Sequence, residues 1–243
     1  YRIRFMSGSF FKAPSDNRYD NLIFDTNNYY HKNYEVHKDL TYEVGGRNIV
    51  TGGVWGFLNS FYKTTENYLK EGGHVYFLFD NADSKLNMRR ELYDPSYKKN
   101  RRKMPEAFYR GLDYLRLILM DHNNYSSVIY GTGFEADDLL PPLLKQIPQE
   151  ESVLIISEDL DWSRVIGYDR KNVDHYMKKK IYDKKRFNEE YDFVPNENKI
   201  VLYKVISQYN KMQILFHASI YILFVFYWKK DLFDFRLRNM LKF

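Results

Sequence analysis

Four short apolar runs constrain this chain more than any other feature. They are NLIFD (21–25), HVYFLFD (74–80), SSVIYG (126–131) and SVLIIS (152–157). Rich in Ile, Val, Phe and Tyr, and too short for core helices, they predict buried strands. Between the first two lies GVWGFLNSFYKTTENYLKEGG, where Val54, Phe57, Leu58, Phe61 and Leu69 fall near helical spacing and Gly72 is positioned as a C-cap. Between the second and third, PEAFYRGLDYLRLILM puts Pro105 in a first helical turn and Phe108, Leu112, Leu115 and Leu119 along one face. The segment EADD separates the third and fourth. Strand and helix alternate, which predicts an α/β fold with a mainly parallel central sheet flanked by helices. Periodicity does not give the strand order.

Carboxylates mark the ends of these runs. Asp25 closes the first and Asp80 the second; Glu135 and Asp137 follow the third, and Asp159 and Asp161 follow the fourth. In open parallel sheets the ligand crevice lies outside the carboxyl ends of the strands, so these acids should converge there. Converging carboxylates repel one another unless cations lie between them, and hard oxygen donors suit Mg²⁺ or Mn²⁺. Any one of these residues could equally be a helix cap or a turn residue. Four equivalent placements favour a metal site. In GFEADD the acids Glu135, Asp137 and Asp138 crowd within four positions just ahead of an apolar run, which sharpens that argument.

With 243 residues, 44% of them hydrophobic, the chain suits one large domain or a domain with an appendage. No cysteine is present, which excludes disulfides and thiolate metal sites. The formal net charge is +5, and the stretch from Arg89 to Lys103 carries that much by itself. Its Arg89, Arg90, Lys98, Lys99, Arg101, Arg102 and Lys103 face only Glu91 and Asp94. Concentrated basic charge of this kind is a solvated surface or a means of holding phosphate backbones. The opening stretch is polar and basic, without the apolar core of a secretory signal, and Met6 is a candidate natural start. The six histidines are scattered without metal-site spacing and receive no role, and Trp162 is expected in the core.

Taken together, LIFDTNN around Asp25, FLFDNADSKLNMRRELYDPSYKKNRR from Phe77 to Arg102, GFEADD and ISEDLDW form an ordered set over residues 21–206. This set resembles the 5′-nucleases of the flap endonuclease and 5′-3′ exonuclease family, most closely the bacteriophage members, including phage RNase H-type enzymes. The resemblance implies a PIN-like 5′-nuclease domain over 1–206, with a basic helical arch over about 85–125. Asp25, Asp80, Glu135 and Asp137 would form a first metal site. Asp137, Asp159 and Asp161 would contribute to a second, with Asp138 in support. Two Mg²⁺ or Mn²⁺ ions would then serve phosphodiester hydrolysis. Lys98 would approach the scissile phosphate, Tyr97 would stack on a base, and Lys32, Arg101 and Arg102 would contact the DNA backbone.

Two departures stand out. Pro141 and Pro142 follow EADDLL, where proline costs roughly 3 kcal/mol in a helix interior, so the helix there should start late, kink or break. After KIVLYKVIS the family's further aspartates and glycine-rich duplex-binding motif are absent; Gly167 is the last glycine. The second metal site should accordingly be weak. The run Ile214–Trp228 has no formal charge over 15 residues, short of the roughly 20 that span a bilayer. Residues 207–243 therefore read as a buried helix, a membrane-surface segment, or a divergent, non-native tail. The abrupt end of the resemblance favours the last.

The expected function is that of a metal-dependent structure-specific 5′-nuclease acting at 5′ flaps or RNA–DNA primer ends in replication. The alternative is a nucleic-acid-binding module with weak or no catalysis. Expected partners are DNA or an RNA–DNA hybrid with a 5′ flap or free 5′ end. No small-molecule cofactor and no membrane are expected; the chain should be a monomer in the cytoplasm, for a phage protein that of the infected bacterium.

Overall fold

The structure is a computed structural model and describes residues 19–80, 103–121, 126–166 and 172–208. The chain divides into two compact units, Tyr1–Glu197 and Asn198–Phe243. Of the second unit, residues 198–208 are described, and they are helical. The basic residues of the expected arch up to Arg102, and the tail beyond 208, lie outside the described residues.

In the first unit, β1 (Tyr19–Asp25) leads into α1 (Thr26–His37), a hairpin of β2 (Thr41–Val44) and β3 (Arg47–Val50), and α2 (Gly52–Tyr68). There follow β4 (Leu69–Phe79), α3 (Glu106–Asp121), β5 (Ser126–Tyr130), α4 (Ala136–Gln146) and β6 (Val153–Ile156). A 3₁₀ helix (Leu160–Val165), β7 (Val173–Met177), β8 (Lys180–Tyr182) and α5 (Lys184–Tyr191) complete it. The main sheet has the order β5-β4-β1-β6-β7-β8, parallel throughout except for the β7–β8 pair. All four apolar runs are strands of this sheet.

Alternation along the strands divides the core between two faces. Leu22 and Phe24 of β1, with Phe77 and Phe79 of β4, pack with Phe57 of α2 and Phe108, Leu115 and Leu119 of α3. Ile23 and Leu78 point the other way, joining Leu140, Leu143 and Leu144 of α4 and Trp162 of the 3₁₀ helix. Each such side chain, fully buried, contributes roughly 1.5–3 kcal/mol. Covered on both faces, the sheet has its ligand-accessible positions at strand ends.

Two local expectations change. The helix α2 ends at Tyr68, whereas Gly72 lies inside β4 with φ +76°. There β4 bulges: Tyr19 pairs with Leu69, yet Asn21 pairs with His74. A Cβ on Gly73 would come within 2.7 Å of the Asp20 carbonyl, so the bulge brings backbone against backbone. The proline pair neither delays nor breaks α4, which begins at Ala136 and carries Pro141 and Pro142 in its interior. No described helix is long and apolar enough to cross a membrane.

Candidate active site

The chain runs outward from β1 to β4 and β5, then returns to the other side of β1 at β6. The β1/β6 boundary is therefore a topological switch point, where open α/β sheets leave a crevice at the strand C-termini. Phe24 is in register with Ile156, so the next residues, Asp25 and Ser157, stand side by side at that edge.

Asp25 is buried. Its Oδ1 accepts from the Asn28 amide at 3.3 Å, capping α1, and its Oδ2 accepts from Ser157 Oγ at 2.7 Å. Burial pushes its pKa up to about 7, against the opposing pull of the Ser157 bond, and the charges of Asp80 and Asp159 push it in the same direction as burial. These three carboxylates thus share one electrostatic environment.

Asp80, just past β4, accepts at Oδ1 from the Ala136 amide (3.0 Å), and its own amide donates to Asn27 Oδ1 (3.2 Å). That ties the end of β4 to the first turns of α4 and α1. Glu135 is buried at the N-cap of α4, with its amide donating to Asp138 Oδ2 at 3.2 Å. Asp137 sits in the first turn of α4 with Arg164 beside it: Arg164 Nη1 is 3.9 Å from Asp137 Oδ2. Asp159 caps the 3₁₀ helix through a 3.1 Å bond from the Asp161 amide, and its own amide donates to Ser157 Oγ at 3.0 Å.

The acids expected at strand ends therefore stand along one edge of the sheet, and several of them are helix caps as well. Capping explains why such a row tolerates its own repulsion, because amide dipoles at helix N-termini face the charges. The expected ligand set is not drawn together, however. Among the described residues no three of these carboxylates stand close enough to share a metal ion. Asp25, Asp80, Asp138 and Asp159 instead accept from backbone amides, and Asp25 from the Ser157 hydroxyl as well.

Lys32, an expected backbone contact, lies on α1 with its Nζ 2.5 Å from Glu158 Oε1, about half-exposed. Tyr97, Lys98, Arg101 and Arg102 lie outside the described residues. Trp162 is in the core, as expected.

Three residues without a role in the sequence reading prove central. Ser157 links Asp25 to Asp159. Behind it, His175 Nε2 donates to the Ser157 carbonyl (2.9 Å), and Ser163 Oγ donates to His175 Nδ1 (2.7 Å). Burial holds the His175 pKa down to about 4, which favours the neutral ring and so leaves Nδ1 to accept from Ser163. Arg164 bridges the two acidic segments. The only sequence signal for Ser157 was its place directly after β6; His175 and Arg164 carried none.

Comparison with known proteins agrees with this geometry. Residues 20–192 match the family model described as 5′-3′ exonuclease, N-terminal resolvase-like domain. The 5′-3′ exonuclease of Buchnera aphidicola subsp. Schizaphis graminum is 32% identical over 151 residues, covering 60% of this chain and 49% of that protein. The flap endonuclease Xni of Vibrio campbellii is 32% identical over 95 residues, 39% of this chain and 35% of its own length. In fold, the chain is similar to a bacteriophage T5 flap endonuclease solved as a pseudo-enzyme–product complex with DNA and metal ions. The TM-score is 0.51 at 18% identity, covering 74% of this chain and 63% of that one. The chain thus spans about half the length, or less, of these curated relatives. Through its N-terminal resolvase-like domain, which takes in every carboxylate of the switch-point edge, the chain belongs to the 5′-3′ exonuclease family.

Proposed function

We propose that this protein is a metal-dependent, structure-specific 5′-nuclease that hydrolyses phosphodiester bonds at 5′ flaps or free 5′ ends of DNA or RNA–DNA hybrids. The observation that carries this reading is the buried Asp25 at the switch point, in the field of Asp80 and Asp159. A carboxylate kept there at the cost of desolvation suits a site that receives positive charge.

The donor chemistry, every candidate ligand being a carboxylate oxygen, suits a hard divalent cation such as Mg²⁺ or Mn²⁺, and the described side chains would have to turn inward to share one. Each oxygen of Asp25 accepts one hydrogen bond and keeps a second lone pair. Asp25, Asp80, Glu135 and Asp137 would hold one ion; Asp137, Asp159 and Asp161, supported by Asp138, would hold another. When bound, such a pair supplies water activation and stabilisation of the leaving oxygen. Ser157 keeps Asp25 and Asp159 in fixed relation, and the Ala136 amide orients Asp80. Lys98 would stabilise charge developing on the scissile phosphate, Tyr97 would stack on a base, and Lys32, Arg101 and Arg102 would hold backbone phosphates without reading sequence.

Incubation with a labelled 5′-flap duplex and Mg²⁺ or Mn²⁺, then with chelator, tests the reading. Cleavage near the flap junction that stops on chelation is expected. Cleavage indifferent to chelator, or none with either metal, would overturn it.

A further inference from the structure

Inside a helix, the amide of residue 141 would donate to the carbonyl of residue 137, four positions back. Pro141 has no amide hydrogen to give. The Asp137 carbonyl is instead served by Arg164, whose Nη2 lies 2.6 Å away. The same guanidinium faces the Asp137 carboxylate at 3.9 Å and Glu197 Oε1 at 3.8 Å, with its side chain only 15% exposed. A planar fork with several donors can serve a carbonyl and a carboxylate together, which a lysine cannot do in the same way.

Arg164 belongs to the last turn of the 3₁₀ helix, whose first turn holds Asp161 and whose N-cap is Asp159. Asp137 belongs to the first turn of α4, whose N-cap is Glu135. One side chain therefore joins the two acidic segments, at the carbonyl whose i+4 amide donor the proline removes. We propose that Arg164 is a positioning residue for Asp137, replacing the amide donor that Pro141 lacks and fixing the Glu135–Asp138 turn relative to Asp159 and Asp161. The structural half of this proposal is independent of function; its consequence for metal binding rests on the nuclease reading above.

The test compares the full chain with Arg164→Met, Pro141→Ala and the double variant. Thermal unfolding is read in chelator, and Mn²⁺ binding by calorimetry alongside the Mn²⁺ midpoint for flap cleavage. Arg164→Met should weaken Mn²⁺ binding and raise the midpoint about 10–100-fold, the range for residues that orient metal ligands, with KM for DNA little changed. Pro141→Ala restores an amide donor to the Asp137 carbonyl, so the double variant should recover most of the lost Mn²⁺ affinity. Arg164→Met should also lower the unfolding temperature less in the Pro141→Ala background than in the native one. Equal losses in both backgrounds, or an Mn²⁺ affinity unmoved by Arg164→Met, would overturn the proposal. If Arg164→Met does not fold, Arg164→Lys takes its place, and rescue by Pro141→Ala is still required. A native chain that neither binds Mn²⁺ nor cleaves would sink the nuclease reading, and the unfolding comparison would then decide this one.

Discussion

Ser157 Oγ donates to Asp25 Oδ2 at 2.7 Å while accepting from the Asp159 amide at 3.0 Å, so one hydroxyl spans the switch between β6 and β1. Its single proton is committed to Asp25 Oδ2, while Oδ1 accepts from the Asn28 amide. With the Ser157 carbonyl held in turn by neutral His175, the arrangement is rigid from the core outward.

Removing that hydroxyl should damage the site more than the fold. Ser157→Ala leaves Asp25 without its buried donor and lets it turn, so metal affinity should fall about 10–100-fold. Isothermal titration with Mn²⁺, beside a circular dichroism melt, checks this. Unchanged affinity would mean that Ser157 is packing alone.

His175 makes a prediction about pH. Its pKa is held near 4 in the folded chain by burial, against an ordinary value of 6.5. Between those values the unfolded chain binds a proton that the folded chain refuses, so this residue's contribution to stability falls on acidification through that window. The full effect is about 3 kcal/mol, at roughly 1.4 kcal/mol per pH unit. Asp25 runs the opposite way: raised from 3.8 to about 7, it favours the folded state at low pH and loses that contribution as pH rises between those two values. Urea unfolding of the native chain and of His175→Gln at pH 7 and pH 5, in chelator, separates the two, because Asp25 is common to both. On going from pH 7 to pH 5 the native chain's stability should change less favourably than the variant's, because only the native chain carries the His175 loss beside the Asp25 gain. Equal changes would show that His175 takes up its proton as readily folded as unfolded.

Lys98 and its neighbours separate chemistry from grip. Lys98→Ala should slow single-turnover cleavage more than it weakens DNA binding, because its charge is assigned to the transition state. Arg101→Ala and Arg102→Ala should weaken binding evenly across sequences and each flatten the salt dependence by about one phosphate contact. Filter binding across a salt series with single-turnover rates distinguishes them. A Lys98→Ala variant altered only in affinity would remove its catalytic assignment.

The strands and their terminal carboxylates were legible because both signals are local: a short apolar run, then an acid. Asp25, Glu135 and Asp159 were also readable as helix caps, and the structure gives them that position without moving them from the site edge. The helix α1 is not legible in the sequence because TNNYYHKNYEVH has no clean apolar period; its buried face is Thr26, Tyr30, Asn33 and Tyr34. The β7–β8 hairpin is not legible for want of turn chemistry, because Lys178 and Lys179 take positive φ without a glycine. Ser157, His175 and Arg164 act through partners far away in sequence. Ser157 and Asp25, for instance, are 132 positions apart. That α4 neither starts late nor breaks at its prolines is not legible from a local rule about helix amides, because a donor to the Asp137 carbonyl arrives from another element.

The account rests on carboxylates at the sheet edge serving phosphodiester cleavage, so the most direct measurement pairs cleavage with binding in Asp80→Ala and Asp137→Ala. Each removes a proposed metal ligand and also a negative charge facing a phosphate. On a labelled 5′-flap duplex at saturating Mg²⁺, both variants should lose cleavage by several orders of magnitude, while DNA affinity holds or tightens. Folded variants that still cleave at the native rate, or that lose binding and cleavage in equal measure, would contradict it.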